Sequence, residues 1–216
     1  MTSGSELITG LTNLIIMFAT LVILFRFRKL KIDKKKIWYI FYVSVVIDSL
    51  LGFIIHSFVW NSEIVNILWI VLSFIFCITL NSLLFTVIKS SNVSKLLITS
   101  IVMYLIFIIE TLCGIDFLLT FIMIALFYIL YILWFYIHRY IKTCTKKDKF
   151  YIIAIVLQII GGLFLLFKVK VNFIVSFDKN GIYHMFMVFT IIFMYLGNKY
   201  SSFEWYLFFN DKMCTF

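Results

Sequence analysis

Residues 37–60 read IWYIFYVSVVIDSLLGFIIHSFVW. Asp48 is the only Asp, Glu, Lys or Arg in these 24 positions, and His56 follows it eight places later. A helix needs about 20 mostly apolar residues to cross a bilayer. This stretch is long enough, and its apolar residues do not alternate as a half-buried strand would require. It reads as a transmembrane helix carrying one carboxyl near its middle.

The same pattern recurs outward from it. Leu7–Phe27 and Ile64–Ile88 flank it, followed by Leu96–Cys113, Ile115–Ile137, Phe150–Phe167 and Gly181–Gly197. The fourth and fifth stretches are divided only by Gly114, yet residues 96–137 are about twice the length of one span. The first stretch has no basic region before it, so it reads as a retained helix rather than a cleaved signal. The expected fold is all-α, a single domain of seven transmembrane helices over residues 1–216. Composition agrees: 64% of residues are hydrophobic and 13% charged, too few polar groups to cover a soluble protein of this size. There is no proline, so no span is kinked by one. The four cysteines form no C-x-x-C pair and read as apolar filler rather than a disulfide or thiolate framework.

Charge gives the expected orientation. From Arg26 to Lys36, seven side chains are basic and one is acidic. Lys89 and Lys95 lie in the third–fourth loop, and Arg139, Lys142, Lys146, Lys147 and Lys149 surround Asp148 in the fifth–sixth loop. Glu6, Glu63, Glu110, Asp116 and Asp178 fall at the opposite ends, with Lys168, Lys170 and Lys179. The positive-inside rule then predicts an outside N-terminus and a cytoplasmic C-terminus. The net charge of +9 reflects topology and anionic-lipid contact, and we expect no nucleic-acid partner. The compact chain favours a bacterial inner membrane.

Ionisable groups inside a bilayer are costly and draw attention to sites. Asp48, Gly52 and His56 fall at i, i+4 and i+8 on one helical face, and Gly52 reads as open space between the other two. His184 stands near the start of the last span, at the same end as His56. His138 lies at the basic end and reads as an interfacial anchor. A His56–His184 pair is a candidate metal site, with zinc the candidate ion. Glu110 or Asp116 is a candidate third ligand or partner to an imidazole. Asp48 and Glu110 are the candidate catalytic carboxylates. Ser73 in the third span is a candidate partner for Asp48. Gln158, Gly161 and Gly162 read as close packing plus one polar contact. Phosphate-binding loops and the G-x-S-x-G elbow are missing, and the last span has no lysine for a retinal.

The Gly52–His56 spacing, the run N-G-I-Y-H-M-F at 180–186 and the stretch YHMFMVFTIIFMYLG at 183–197 resemble the superfamily of seven-span membrane hydrolases that includes alkaline ceramidases and adiponectin/progestin receptors. The resemblance implies a zinc ion, His56 and His184 as two of its ligands, and a metal-bound water that attacks a lipid amide or related bond. The chain departs from that pattern at three places. The superfamily serine falls on Gly52, its second last-span histidine on Val188, and its third-span aspartate near Ile67.

Three functions follow as expectations. The first is a metal-dependent hydrolase of a lipid amide or ester, with Asp48 moving a proton. The second is a non-catalytic seven-span protein that binds or senses a lipid or other ligand, acting with a cytoplasmic or membrane partner. The third is a small transporter with Asp48 in a proton or substrate path.

Overall fold

The computed structural model describes residues 4–58, 61–88, 92–113, 117–172 and 176–213. Gly114, Asp116, Lys89 and Cys214 lie outside the described residues. The helices are α1 (Gly4–Phe27), α2 (Lys35–Ser57), α3 (Ser62–Val87), α4 (Val93–Leu112), α5 (Phe117–Thr143), α6 (Lys146–Leu166) and α7 (Lys179–Met213). All seven are long and apolar enough to cross a membrane. The chain is a multi-pass membrane protein.

Two boundaries differ from expectation. Between α6 and α7 the backbone forms a short antiparallel pair, β1 (Val171–Asn172) with β2 (Ser176–Phe177), in place of a plain turn. The helix expected to stop at Gly197 continues to Met213. Gly197 is a packing position: a Cβ there would lie 2.6 Å from Cε1 of Tyr151. The bare glycine lets α7 close tightly on α6.

Six helices form a ring. α2 packs between α1 and α3, α7 joins α1 to α6, and α5 bridges α6 and α3. α4 lies outside this ring, against α3 and, more lightly, α5. Large apolar side chains cover the outer faces of α4 and α5, including Ile98, Ile109, Phe127 and Trp134, each at least 58% exposed. Apolar surface on this scale has no place in water and suits lipid.

The ring is fastened at the basic end. Trp38 stacks on Tyr151, with ring centroids 5.5 Å apart. The Tyr151 hydroxyl donates to Asn198 Oδ1 at 2.9 Å, and Asn198 Nδ2 donates to the Tyr42 hydroxyl at 3.0 Å. That chain ties α6, α7 and α2 together in a buried layer, where an unpaired polar group would be costly. Asp148 is not the solvated loop charge that its neighbours suggest. Its side chain is fully buried in the first turn of α6. Arg139 donates to it through Nε at 2.8 Å and again through Nη2, Thr145 donates at 2.8 Å, and Thr143 at 3.3 Å. The Arg139 guanidinium also lies 5.0 Å from the Tyr136 ring centre.

Lys34 closes the same end from the α1–α2 connection. Its backbone is left-handed (φ 53°), and its ammonium donates to the carbonyls of Phe85 at 3.2 Å, Thr86 at 3.0 Å and Ile88. These are the last carbonyls of α3, which have no partner within the helix and carry its negative dipole end. Burial pulls the Lys34 ammonium below the usual lysine pKa, while the charge of Asp33 opposes this.

Asp148 is fully buried but its partner Arg139 is 34% exposed, so removing the carboxylate leaves a guanidinium that water partly screens and costs less than the loss of a fully buried ion pair. Asp148→Ala is expected to lower the thermal midpoint of the detergent-solubilised protein clearly. Asp148→Asn, which keeps the acceptor to both threonines, should fall between it and the wild type. Melting followed by tryptophan fluorescence measures both.

Candidate functional site

The ring encloses a cavity of about 600 Å³. It lies between α1, α2, α3, α5, α6 and α7. Its wall is mostly apolar, and its polar groups sit at two levels separated by roughly two turns of α2, about 12 Å at 1.5 Å per residue.

The first level is at the end away from the basic loops, where His56 and His184 both line the cavity. The sequence correctly suggested that these two share a layer. His56 meets Trp69 edge-on, with ring centres 6.2 Å apart. His184 Nδ1 lies 3.0 Å from the Thr12 hydroxyl, and that hydroxyl is 2.8 Å from the Thr9 carbonyl. A hydroxyl has one hydrogen to give. If Thr12 donates to the carbonyl, His184 must donate through Nδ1–H, and Nε2 keeps its lone pair. Below Thr12, the Thr9 hydroxyl donates to Asp178 Oδ1 at 2.7 Å. The same oxygen accepts from the backbone N–H of Gly181 at 2.8 Å, which caps the start of α7. Asp178 therefore aims α7, and with it His184, at α1.

The α1 contribution was missed by sequence reasoning. Thr9, Thr12, Asn13, Ile16 and Thr20 are all buried and lie on one face at helical spacing. The signal was present as a polar stripe in an otherwise apolar span. Asn13 also changes the reading of Gly52. The space beside Gly52 is not open, because a Cβ there would meet Asn13 Nδ2 at 2.8 Å. Gly52 is the gap that admits Asn13 between Asp48 and His56.

The second level is set by Asp48, which lines the cavity. Its Oδ2 accepts from the Thr79 hydroxyl at 2.8 Å, and its Oδ1 is buried without a partner. The expected neighbour, Ser73, turns away: its hydroxyl donates to the carbonyl of Trp69 in its own helix at 2.7 Å. Across the cavity, Gln158 Nε2 donates to the Tyr183 hydroxyl at 2.6 Å, and Gln158 Oε1 has no partner. Gly161 gives the expected close packing, since a Cβ there would be 2.8 Å from Phe186 Cβ. Gly162 faces open space.

The other candidates lie apart from this cavity. Glu110 is on α4, outside the ring, and does not line the cavity, so it is not brought to His56, His184 or Asp48. His138 is exposed on α5 and stacks on Trp134 at 5.7 Å, away from the site. Among the described residues, no three His, Cys, Asp or Glu side chains are grouped to hold a metal ion. Two imidazoles without a grouped third ligand do not match the three-ligand zinc centre that the resemblance implies.

No curated protein and no solved structure matches the chain. Residues 8–202, which take in the greater part of every span and all the cavity-lining side chains, match the model of a family of unknown function. The chain belongs to that family, DUF6962.

Proposed function

We propose that this protein binds an amphipathic small molecule inside the membrane, in the cavity between its six ring helices, and acts as a non-catalytic ligand-binding or sensing protein. The observation that carries this reading is the cavity itself. A volume of about 600 Å³ falls in the range of small-molecule sites, and so does an apolar wall with a few convergent polar groups. Packing does not explain a void of this size, because protein interiors leave few spaces larger than a water molecule.

Between α3 and α6 the ring is closed by α5, which packs only lightly on α3. Trp69, Leu72 and Phe76 line the cavity from α3, and Gln158 and Leu165 from α6. α5, which bridges these helices, supplies only Ile129 among the described side chains. An amphiphile partitioned in the bilayer would enter through this seam, chain last, from the half of the membrane away from the basic loops. By the positive-inside rule that half is the outer leaflet.

A second reading, a metal-assisted lipid hydrolase, draws on one observation: His56 and His184 line the same cavity. Elemental analysis separates the two. On the ligand-binding reading, zinc content does not respond to His56→Ala or His184→Ala. About one zinc per chain, lost in both variants, would favour the hydrolase.

The binding reading is tested directly with a long-chain alcohol bearing a diazirine on its alkyl chain, photolysed with the protein in nanodiscs. Labelling is expected on peptides containing Leu72, Phe76 and Leu165. It should drop severalfold in the doubly filled variant Leu72→Trp/Met187→Trp. Labelling confined to the outer faces of α4 and α5, and unaffected by filling, would contradict the proposal.

A further inference from the structure

Among the described residues, Asp148 and Asp48 both lie inside the bundle and are satisfied in opposite ways. Asp148 receives two hydrogen bonds from Arg139 and one each from Thr143 and Thr145. A carboxylate has room for about four such bonds, so this one is fully met. Asp48 has a single partner. The Thr79 hydroxyl that serves it lies also 3.0 Å from the carbonyl of Ile75, and its one hydrogen is shared between them. Oδ1 has nothing. Among the described residues, no basic side chain pairs with Asp48.

Gln158 Oε1 is a second acceptor without a partner. Towards the other level, His184 offers a lone pair once its Nδ1–H is given to Thr12. A carboxylate left this bare inside a membrane costs several kcal/mol, and such residues as a rule pair with a counter-charge. Among the described residues, Asp148 has a counter-charge and Asp48 has none. Yet Asp48 is the one that lines a cavity large enough for a ligand.

We propose that the cavity selects an amphiphile with a protonated amine as its head, the ammonium being met by Asp48 and the chain lying against Leu72, Phe76 and Leu165. This rests on the reading of the cavity as a ligand site and names the chemical class of its occupant. A primary ammonium carries three donors and no acceptor, the complement of the two unmet acceptors on the cavity wall, Asp48 Oδ1 and Gln158 Oε1. Lys179 lines the cavity from the first turn of α7, at the other polar level. Its charge disfavours an ammonium there, which places the head at the Asp48 level and suits entry through the α3–α6 seam.

The test is competition against the diazirine alcohol in nanodiscs of zwitterionic lipid. The competitors are tetradecylamine, tetradecanol and tetradecanoate, each corrected for its measured content in the bilayer. In wild type the amine is expected to displace the probe about tenfold better than the alcohol, a difference of about 1.4 kcal/mol. In Asp48→Asn the amine should lose this advantage while the alcohol competes as before. Retained probe labelling in Asp48→Asn shows that the variant is folded. Equal competition by amine and alcohol in wild type would overturn the charge assignment and leave the cavity reading standing. So would an advantage for tetradecanoate, or an amine preference that survives Asp48→Asn. Failure of all three competitors, with labelling insensitive to Leu72→Trp/Met187→Trp, would overturn both.

Discussion

The structure depends on how a bilayer treats an unpaired polar group. Water is not available there to satisfy a buried hydroxyl, amide or carboxyl, so each must be met by protein or by something the protein binds. Most of the polar side chains in this bundle obey that constraint locally. Thr20, Ser73 and Ser100 return hydrogen bonds to carbonyls of their own helices. Others obey it between helices and so decide the packing: Tyr151–Asn198–Tyr42, Arg139–Asp148, and Lys34 on the end of α3. All three of these lie at the basic end. That end of the bundle is closed by polar bonds and stacked rings, and the His56–His184 level of the cavity lies towards the opposite end.

This asymmetry gives the functional reading its shape. A bundle tied at one end can hold its other end apart without losing its fold. α7 shows both roles in one helix. Its start, capped by Asp178, carries Tyr183 and His184 to the cavity, and its later turns carry Gly197 and Asn198 into the tied layer. Asp48 lies between the two regimes. It is deep enough to need compensation, and it is on the cavity side of the layer that supplies compensation elsewhere.

Much of the fold was legible in the sequence, because hydropathy over about 20 residues reports spanning directly. The helix limits of α1 to α6 follow the apolar runs to within a few residues, apart from the basic extension of α5 to Thr143. The end of α7 did not, since Gly197 reads as a stop and works as a contact, and the turns beyond it are too polar to register as a span. The site was legible by residue type rather than by partner. Asp48, His56 and His184 stood out as ionisable groups in apolar surroundings, and all three line the cavity. Their neighbours did not stand out. Whether Ser73 or Thr79 faces Asp48 depends on the rotation of α3 about its axis, which six residues of separation leave open. Glu110 was misleading because loop proximity cannot reveal that α4 lies outside the ring. Gly52 looked like a void because the side chain filling it, Asn13, comes from another helix.

The central claim is that the cavity holds one molecule drawn from the membrane. Native mass spectrometry of the protein ejected from nanodiscs made with the lipids of its own host tests this most directly. The account predicts a population carrying one amphiphile through gentle activation, lost when Leu72 and Met187 are both replaced by tryptophan. A spectrum of bare protein, or of adducts whose number is unchanged by filling the cavity, would contradict it.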